Sequence, residues 1–527
     1  MRALPFFASV MLFVLFSPSV FAQTPAFRWA VRAGGSGGDA ANAVAVDAMG
    51  NTHVTGQFVG SAAFGAVNLT ASGGNPDIFV AKFDPSGALL WARQAGGTGT
   101  DIGTGVAVDY AGNCFVTGCF QGTASFGTTT VVSNGGNDVF VAKFDSGGNL
   151  LWVRQAGGVS DDCGAAIAVD NAGGCRVTGH YTGLAQFGST NLSAFASSSD
   201  VFVASYDAGG ALLWVRTGGG AGADNGAAIA VDAAGGSYVT GSFTGTATFG
   251  DTALVNSLGT ANVFIAKWDS SGAFVWANQA GGSFDDFGTG IGVDAAGNSY
   301  VTGYFAGNAT IGGSSLSSSS GVDNDAFIAK YDRAGSPVWG RRGGGAGADA
   351  GTAIAVDPEG NAHVAGYFTQ AASFGGTTLT NAGSSDVFFA RLDTAGNFTW
   401  VRRAGDTGTD TANGIALDGF GNVYLAGYFM GGVTFGATVL NSAGVTDVLV
   451  AKAEAFPPRL KMAGSLSPTV IWPVVTSGFQ LEGATNLSVG GIWTAVTNTP
   501  AVLGELNAVT NTASGEMRLF RLRRPAP

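Results

Sequence analysis

Seven tryptophans stand at almost equal intervals along the chain: Trp29, Trp91, Trp152, Trp214, Trp276, Trp339 and Trp400, separated by 61 to 63 residues. Self-similarity at a fixed period is the signature of a repeat architecture, and this period is far longer than a β-helix rung. No 3.6-residue apolar spacing accompanies it, which argues against helical solenoids. Each repeat must therefore be one supersecondary unit of about 62 residues.

Gly288 to Phe305, GTGIGVDAAGNSYVTGYF, shows how a unit begins. Ile291 to Val293 reads as a strand, Asp294 to Asn298 as a tight turn, and Tyr300 to Thr302 as the returning strand. Asp closes such a turn with its own side chain, and Gly supplies the positive φ. The hairpin recurs with Asp47, Asp109, Asp170, Asp232, Asp357 and Asp418 in the role of Asp294.

The fourth unit displays all four strand signals. Strand A is Ala228 to Asp232 and strand B is Tyr238 to Phe243. A polar connection containing Phe249-Gly250 leads to strand C, Val263 to Lys267. A second Asp-x-x-Gly turn, Asp269 to Gly272, reverses the chain into strand D around Trp276. Strand A is apolar at nearly every position, as expected of a strand covered on both faces. Its middle residue is always small (Ala45, Ala107, Ala168, Ala230, Gly292, Ala355, Ala416), which lets inner strands crowd around an axis.

The ends of the repeat region decide between a ring and an open row. Phe27 to Val31 is a strand D with no unit before it, and no strand D follows the last strand C, Asp447 to Lys452. The expectation is an all-β fold, a seven-bladed β-propeller of four-stranded blades closed by the N-terminal strand, which leaves no raw sheet edge.

AGGTGTDIGTGVAVDYAGN (95–113) followed by DVFVAKFDSGGNLLWVRQAGG (138–158) resembles the bacterial seven-bladed β-propeller repeat family, the SBBP repeat. The hairpin alone, as in GTAIAVDPEGN (351–361), is also similar to NHL repeats. The resemblance covers about residues 27 to 453. It implies an exported or cell-surface protein with no common enzymatic activity, and it brings no catalytic residues.

Residues 1–22 read as a signal peptide: Arg2, an apolar run, then Val20-Phe21-Ala22 as the cleavage site. The expected domains are this leader, a propeller over 23–456, and a small β-sandwich-like domain over 457–527 beginning at Pro457-Pro458. FQLEGATNL, IWTAV and RLFRLRR in that last part resemble C-terminal modules of exported bacterial proteins. Without the leader, 23 basic residues face 36 acidic ones, and residues 23–456 hold 17 against 33. That sign repels phosphate backbones, so no nucleic-acid partner is expected. No later apolar run reaches the length of a membrane span. A secreted or cell-surface monomer is expected.

Candidate chemistry is sparse. Asp39, Asp101, Asp162, Asp224, Asp286, Asp349 and Asp410 each stand eight residues before a turn Asp, in the loop from strand D to the next strand A. Their primary reading is a side chain accepting backbone N–H bonds in a Gly-rich turn. The functional alternative is a carboxylate ring at the channel mouth able to hold Ca²⁺ with loop carbonyls. The calcium-binding nonapeptide arrangement that Gly96 to Asp101 suggests needs rungs of nine residues, which this spacing does not supply.

His53, His180 and His363 read as packing residues, and the strand-C cations (Lys82, Lys143, Lys267, Lys330, Lys452, with Arg391 and Ser205 as variants) as partners of Asp or of aromatic rings. Of the four cysteines, Cys119 with Cys163 is the favoured disulfide and Cys114 with Cys175 the weaker pairing. No nucleophile elbow, phosphate loop or zinc spacing appears, so no enzyme is expected. Three functions fit: a protein- or glycan-binding scaffold at the cell surface; a polysaccharide lyase or hydrolase using mouth aspartates; and a surface-layer or adhesion component. In each, the face carrying the D–A and B–C loops is the expected ligand face.

Overall fold

The computed structural model describes residues 25–195 and 198–454, and beyond them the backbone of seven short strands. The leader reading falls on residues 1–22, outside the described residues. One compact unit comprises Phe27–Asp418 and Val423–Ala453. The other holds Met1–Ala26, Gly419–Asn422 and Glu454–Pro527.

The larger unit is a β-propeller fold of repeated four-stranded antiparallel sheets. Asn225–Val231, Ser237–Thr244, Ala261–Trp268 and Phe274–Gly282 pair in that order, as strands A, B, C and D. The same A-B-C-D order is found in the groups beginning at Ala40, Ile102, Cys163, Phe287 and Ala350. In the last group Asp410–Leu417, Val423–Phe429 and Asp447–Glu454 are followed by Ala26–Gly35, from the other end of the chain. Arg32 Nη1 also reaches Asp447 Oδ2 at 3.1 Å, so a cation from the first strand holds a buried carboxylate of the last.

Apolar side chains of each sheet pack against those of the next, giving a closed succession of cores. One lies between the second and third sheets, with Phe115, Val139 and Val141 against Val177 and Phe202. Another joins the last sheet to the first, with Tyr424, Val448 and Val450 against Val54 and Phe79. At the centre, side chains of one strand A bond the backbone of the next. Asn42 Nδ2 donates to Gly103 O at 2.8 Å, Thr352 Oγ1 to Ala412 O at 2.5 Å, and Asn413 Nδ2 to Ala41 O at 2.9 Å.

The conserved-period tryptophans sit at the boundaries. Trp91 Nε1 donates to Ser146 O at 3.1 Å, and Arg93 donates to Gly148 O and Gly147 O, all in the C–D turn of the following sheet. Gly148 has φ +80°, and a Cβ there would lie 2.7 Å from the Trp91 ring. The same contact recurs at Gly87, Gly210, Gly272, Gly335 and Gly396.

The B–C connections, expected as open loops, contain hairpins. Leu184–Phe187 and Thr190–Ser193 pair with each other and then with strand D of the preceding sheet, Ala156 opposite Phe187. The alternation Ala185, Phe187 buried with Leu184, Gln186 exposed explains this, because one face has apolar cover to find. In the first such hairpin, Ala62 and Ala63 pair with Gly35 and Gly34.

In the C-terminal stretch two antiparallel sheets form. One runs Lys461–Ala463, Thr469–Pro473, Leu506–Thr510, Ala501–Leu503, and the other Thr494–Ala495, Gln480–Ala484, Leu519–Arg523.

Two outcomes follow. Deleting residues 23–35 removes the closing strand and its buried side chains, so the thermal unfolding midpoint of the protein falls. Gly148→Ala forces both a positive φ on an L-residue and a clash with Trp91. It should cost roughly 1–3 kcal/mol in denaturant unfolding.

Candidate functional site

The seven D–A aspartates are fully buried, each at 0 % exposure. Asp224 shows why. Its Oδ2 accepts Gly220 N–H at 2.7 Å, its Oδ1 accepts Thr244 N–H at 3.1 Å, and its own N–H bonds Ser199 O at 2.8 Å. One residue thus ties the end of strand D to the end of strand B and the start of strand C. Asp39, Asp101, Asp162, Asp286 and Asp349 repeat both carboxylate contacts. Asp410 Oδ2 accepts Asp406 N–H at 2.9 Å. This is the turn-forming arrangement, with both oxygens of six of the seven committed to backbone and Asp410 Oδ1 buried without a donor. Among the described residues no group of three or more His, Cys, Asp or Glu is placed to hold a metal ion.

On the opposite face, A–B turn aspartates meet strand-C cations. Lys82 Nζ lies 3.2 Å from Asp47 Oδ2, Lys143 Nζ 3.4 Å from Asp109, and Lys267 Nζ 3.4 Å from Asp232. The same ammonium groups lie over rings, Lys143 at 4.5 Å from the Phe115 centroid and Lys267 at 4.3 Å from Tyr238. Arg176 pairs with Asp170 where Ser205 replaces the lysine. His53 and His363 are buried beside Asp47 and Asp357, at 3.4 and 3.5 Å. Burial alone would push Asp47 up, but hydrogen bonds from His53, Asn51 and Lys82 outweigh it and hold it well below the usual carboxylate range. Burial also lowers His53. These are sheet-to-turn struts.

The unlike residues gather at the loop-face mouth, at one position near the end of strand B: Gln57, Cys119, His180, Ser242, Tyr304, Tyr367 and Tyr428. Cys119 identifies what this position touches. It is disulfide-bonded to Cys163, the first strand-A residue of the next sheet, with Cα atoms 4.8 Å apart. Cys114 and Cys175 are free and buried. At the equivalent boundaries the residue matching Cys163, the one after the D–A aspartate, is Ala350 beyond Tyr304, Thr411 beyond Tyr367 and Ala40 beyond Tyr428. A small residue therefore stands wherever the mouth carries a tyrosine, which leaves the ring space.

All three tyrosines are half-buried. Burial raises the Tyr304 hydroxyl, and the neighbouring Tyr367 and Asp285 raise it further; Tyr367 is raised by burial, Tyr428 and Asp349. The three tyrosines occupy the same position in three successive sheets, an arc of positions along the ring. Phe287 extends it, its centroid 5.1 Å from Tyr304. His180 faces Asp161 on the other side of the ring, and burial lowers its pKa. Sequence reasoning named His180 but missed the tyrosines, which stand out once strand B is aligned across all repeats.

Four stretches, residues 90–118, 275–304, 338–367 and 399–428, match the family described as "Beta-propeller repeat". These four stretches carry the β-propeller repeat. The chain is 25% identical over 444 residues to an uncharacterized WD repeat-containing protein of Acanthamoeba polyphaga mimivirus, covering 69% of this chain and 32% of that one. It is 29% identical over 110 residues to the regulatory protein FlaEY of Caulobacter vibrioides, covering 20% of this chain and 12% of that one. The chain thus spans a minor part of both relatives. Among solved structures, the Neurospora crassa Pan2 WD40 domain aligns with TM-score 0.39 at 10% identity, over 80% of this chain and 91% of that one. Sqt1 of Chaetomium thermophilum aligns at 0.37 with 10% identity, over 82% and 100%.

Replacing Asp224 by Ala leaves the N–H groups of Gly220 and Thr244 without acceptors. Each unpaired buried donor costs about 1–3 kcal/mol, measurable as a lower denaturant midpoint.

Proposed function

We propose that this chain is an exported, non-enzymatic seven-bladed β-propeller, closed by its N-terminal strand, that binds a glycan at the loop-face mouth. The observation that carries the reading is the half-buried arc of Tyr304, Tyr367 and Tyr428, built on a rigid ring where every other mouth position differs. Aromatic faces with polar tips suit ligands that are apolar on one side and hydroxylated on the other. Its domains are the leader over 1–22, the propeller over 23–456 and a two-sheet sandwich over 457–527. Export accords with the Cys119–Cys163 disulfide, since such bonds persist in oxidising compartments.

The non-enzymatic reading is supported by the mouth aspartates. Their oxygens accept backbone N–H groups, whereas general acid–base work needs a carboxyl group within reach of a substrate proton. The same commitment speaks against calcium as their ligand, and calorimetry of the protein with Ca²⁺ should register no binding heat.

The test is a glycan array, with cell-envelope extracts alongside, probed with the whole protein and with Tyr304→Ala/Tyr367→Ala/Tyr428→Ala. The expected result is glycan capture lost in the triple variant at little change in thermal midpoint. Capture of envelope protein but no glycan, or unaltered capture by the variant, would overturn the assignment.

A further inference from the structure

Behind the mouth lies a second ring of acid groups. Asp77, Asp138, Asp200, Asp325, Asp386 and Asp447 sit at the start of strand C, and Asn262 takes that place in the fourth sheet; all are buried. At Gly34, Gly96, Gly157, Gly219 and Gly281 this group faces a D–A aspartate across the glycine. A Cβ on Gly96 would lie 2.8 Å from Asp77 Oδ1 and 2.9 Å from Asp101 Oδ2. On Gly157 it would lie 2.6 Å from Asp138 Oδ1 and 2.9 Å from Asp162 Oδ2. On Gly219 it would lie 2.5 Å from Asp200 Oδ1 and 2.9 Å from Asp224 Oδ2. Only a glycine hydrogen fits there, so two carboxyl groups converge on one small space.

The Oδ2 atoms of the strand-C acids are provided for. They accept the N–H groups of Ser72, Asn134 and Phe195 in the first three sheets. Their Oδ1 atoms are buried and have no donor: Asp77, Asp138, Asp200, Asp325, Asp386 and Asp447 all share this, as does Asn262 Oδ1. Two ionised carboxylates held this close and out of water repel, and burial penalises each charge separately.

The chain answers this charge problem differently around the ring. In the fifth, sixth and seventh sheets an arginine lies on the strand-C acid: Arg342 at 3.2 Å from Asp325, Arg403 at 2.8 Å from Asp386, Arg32 at 3.1 Å from Asp447. In the fourth sheet the acid is replaced by Asn262. In the first three sheets the arginine position holds Gln94, Gln155 and Thr217. Gln94 donates to Asp77 at 3.2 Å and Gln155 to Asp138 at 2.5 Å, neither bringing charge. Thr217 bonds the hydroxyl of Tyr181, which stands near Asp200.

We propose that Asp77/Asp101, Asp138/Asp162 and Asp200/Asp224 each bind one proton at neutral pH, where arginine or asparagine neutralises the equivalent site elsewhere in the ring. The unpartnered Oδ1 of the strand-C acid is the oxygen free to carry it. The groups facing these pairs are the two glutamines, Tyr181 with Thr217, and the exposed Asp161 beside Asp162, itself facing His180. Among the described residues none of the ion pairs places a cation on them.

Burial, with the neighbouring carboxylate adding to it, pushes Asp77 up to about 6 and Asp162 and Asp224 up to about 7. Burial raises Asp286, Asp349 and Asp410 as far, so the distinction between the sites rests on what faces the strand-C group. A carboxyl whose folded pKa exceeds its unfolded value stabilises the fold fully below the unfolded value, near 4. That contribution is lost as pH rises through 6 to 7. Asp47 and Asp357 are shifted the other way, and their contribution is lost as pH falls below about 4. The stability maximum should therefore be weakly acidic.

The experiment compares the whole protein with Asp77→Asn/Asp138→Asn/Asp200→Asn, recording thermal midpoints at about pH 5.5 and about pH 8, with and without Ca²⁺. The native protein should melt higher at the acid pH. The triple variant should melt higher than the native protein at the alkaline pH, with its pH dependence reduced to that of the remaining buried aspartates. The charge-paired control Asp325→Asn should lose stability at both. Infrared spectra of the native protein near pH 6 should contain a buried protonated-carboxyl band that diminishes in the single variant Asp138→Asn, a readout that survives if the triple variant fails to fold. Absence of that band, or a triple variant less stable than the native protein at alkaline pH, would overturn the proposal. Alkaline stabilisation by Ca²⁺ in the native protein alone would also overturn it, in favour of a bound cation.

Discussion

Sheet meets sheet through an indole ring laid against a glycine. In the first six boundaries of chain order, beginning with Trp29 on Gly87, the tryptophan of strand D covers a turn glycine with φ near +80° and donates its N–H to a carbonyl of the same turn. The ring adds apolar area, the N–H fixes the turn's position, and the missing Cβ sets the separation. Arginine two residues on adds its guanidinium to the turn carbonyls at Arg93, Arg154, Arg216 and Arg341. A repeat ring needs each boundary to hold one angle, and this contact leaves little freedom. The turn that Trp400 would cover belongs to the sheet whose strands C and D come from opposite chain ends. Its ring keeps the contact the others make with strand B, packing on His363 as Trp91 does on His53, and adds Phe389.

Buried charge does the corresponding work within each sheet. Taking a carboxylate out of water costs several kcal/mol unless donors replace the solvent. Six of the D–A aspartates meet that condition with two backbone N–H groups and Asp410 with one, and the A–B aspartates with turn N–H groups, a side-chain amide and a cation, as at Asp47. The D–A aspartates are shifted up by burial, whereas Asp47, Asp109 and Asp357 are held down by their partners. The fold therefore carries acid groups tuned to both sides of their ordinary range, although its surface composition reads simply as acidic.

Much of this was legible in the residues. The tryptophan period gave the unit, and the orphan strand around Trp29 with the missing partner after Lys452 gave the ring closure, because pattern and chain order are local properties. The D–A aspartates were readable as turn formers from Gly-rich context alone. What was hidden depends on which sheet lies beside which. The hairpin at Leu184–Ser193 belongs in sequence to the third unit but pairs with strand D of the second. Strand-C acids such as Asp138 look like ordinary strand starts until the backbone brings them against a D–A aspartate. The mouth tyrosines needed the Cys119–Cys163 bond, or its equivalent, to reveal that their position faces the next sheet.

Repetition and variation are thereby assigned to different atoms. Backbone-satisfying groups repeat because every turn presents the same N–H and C=O geometry, and any change leaves a buried donor orphaned. The strand-B mouth position is released from that demand, since it meets side chains at the openings of strand A, as Tyr304 does Phe287 in its own sheet and Cys119 does Cys163 in the next. Wherever the residue opening the next strand A is small, as at Ala350 and Ala40, the preceding side chain is free to be large. Where it is Cys163, the boundary is closed covalently instead. A ring built this way varies its mouth without disturbing its frame, which is why the tyrosine arc can occupy three adjacent boundaries while the contacts beneath it stay the same from sheet to sheet.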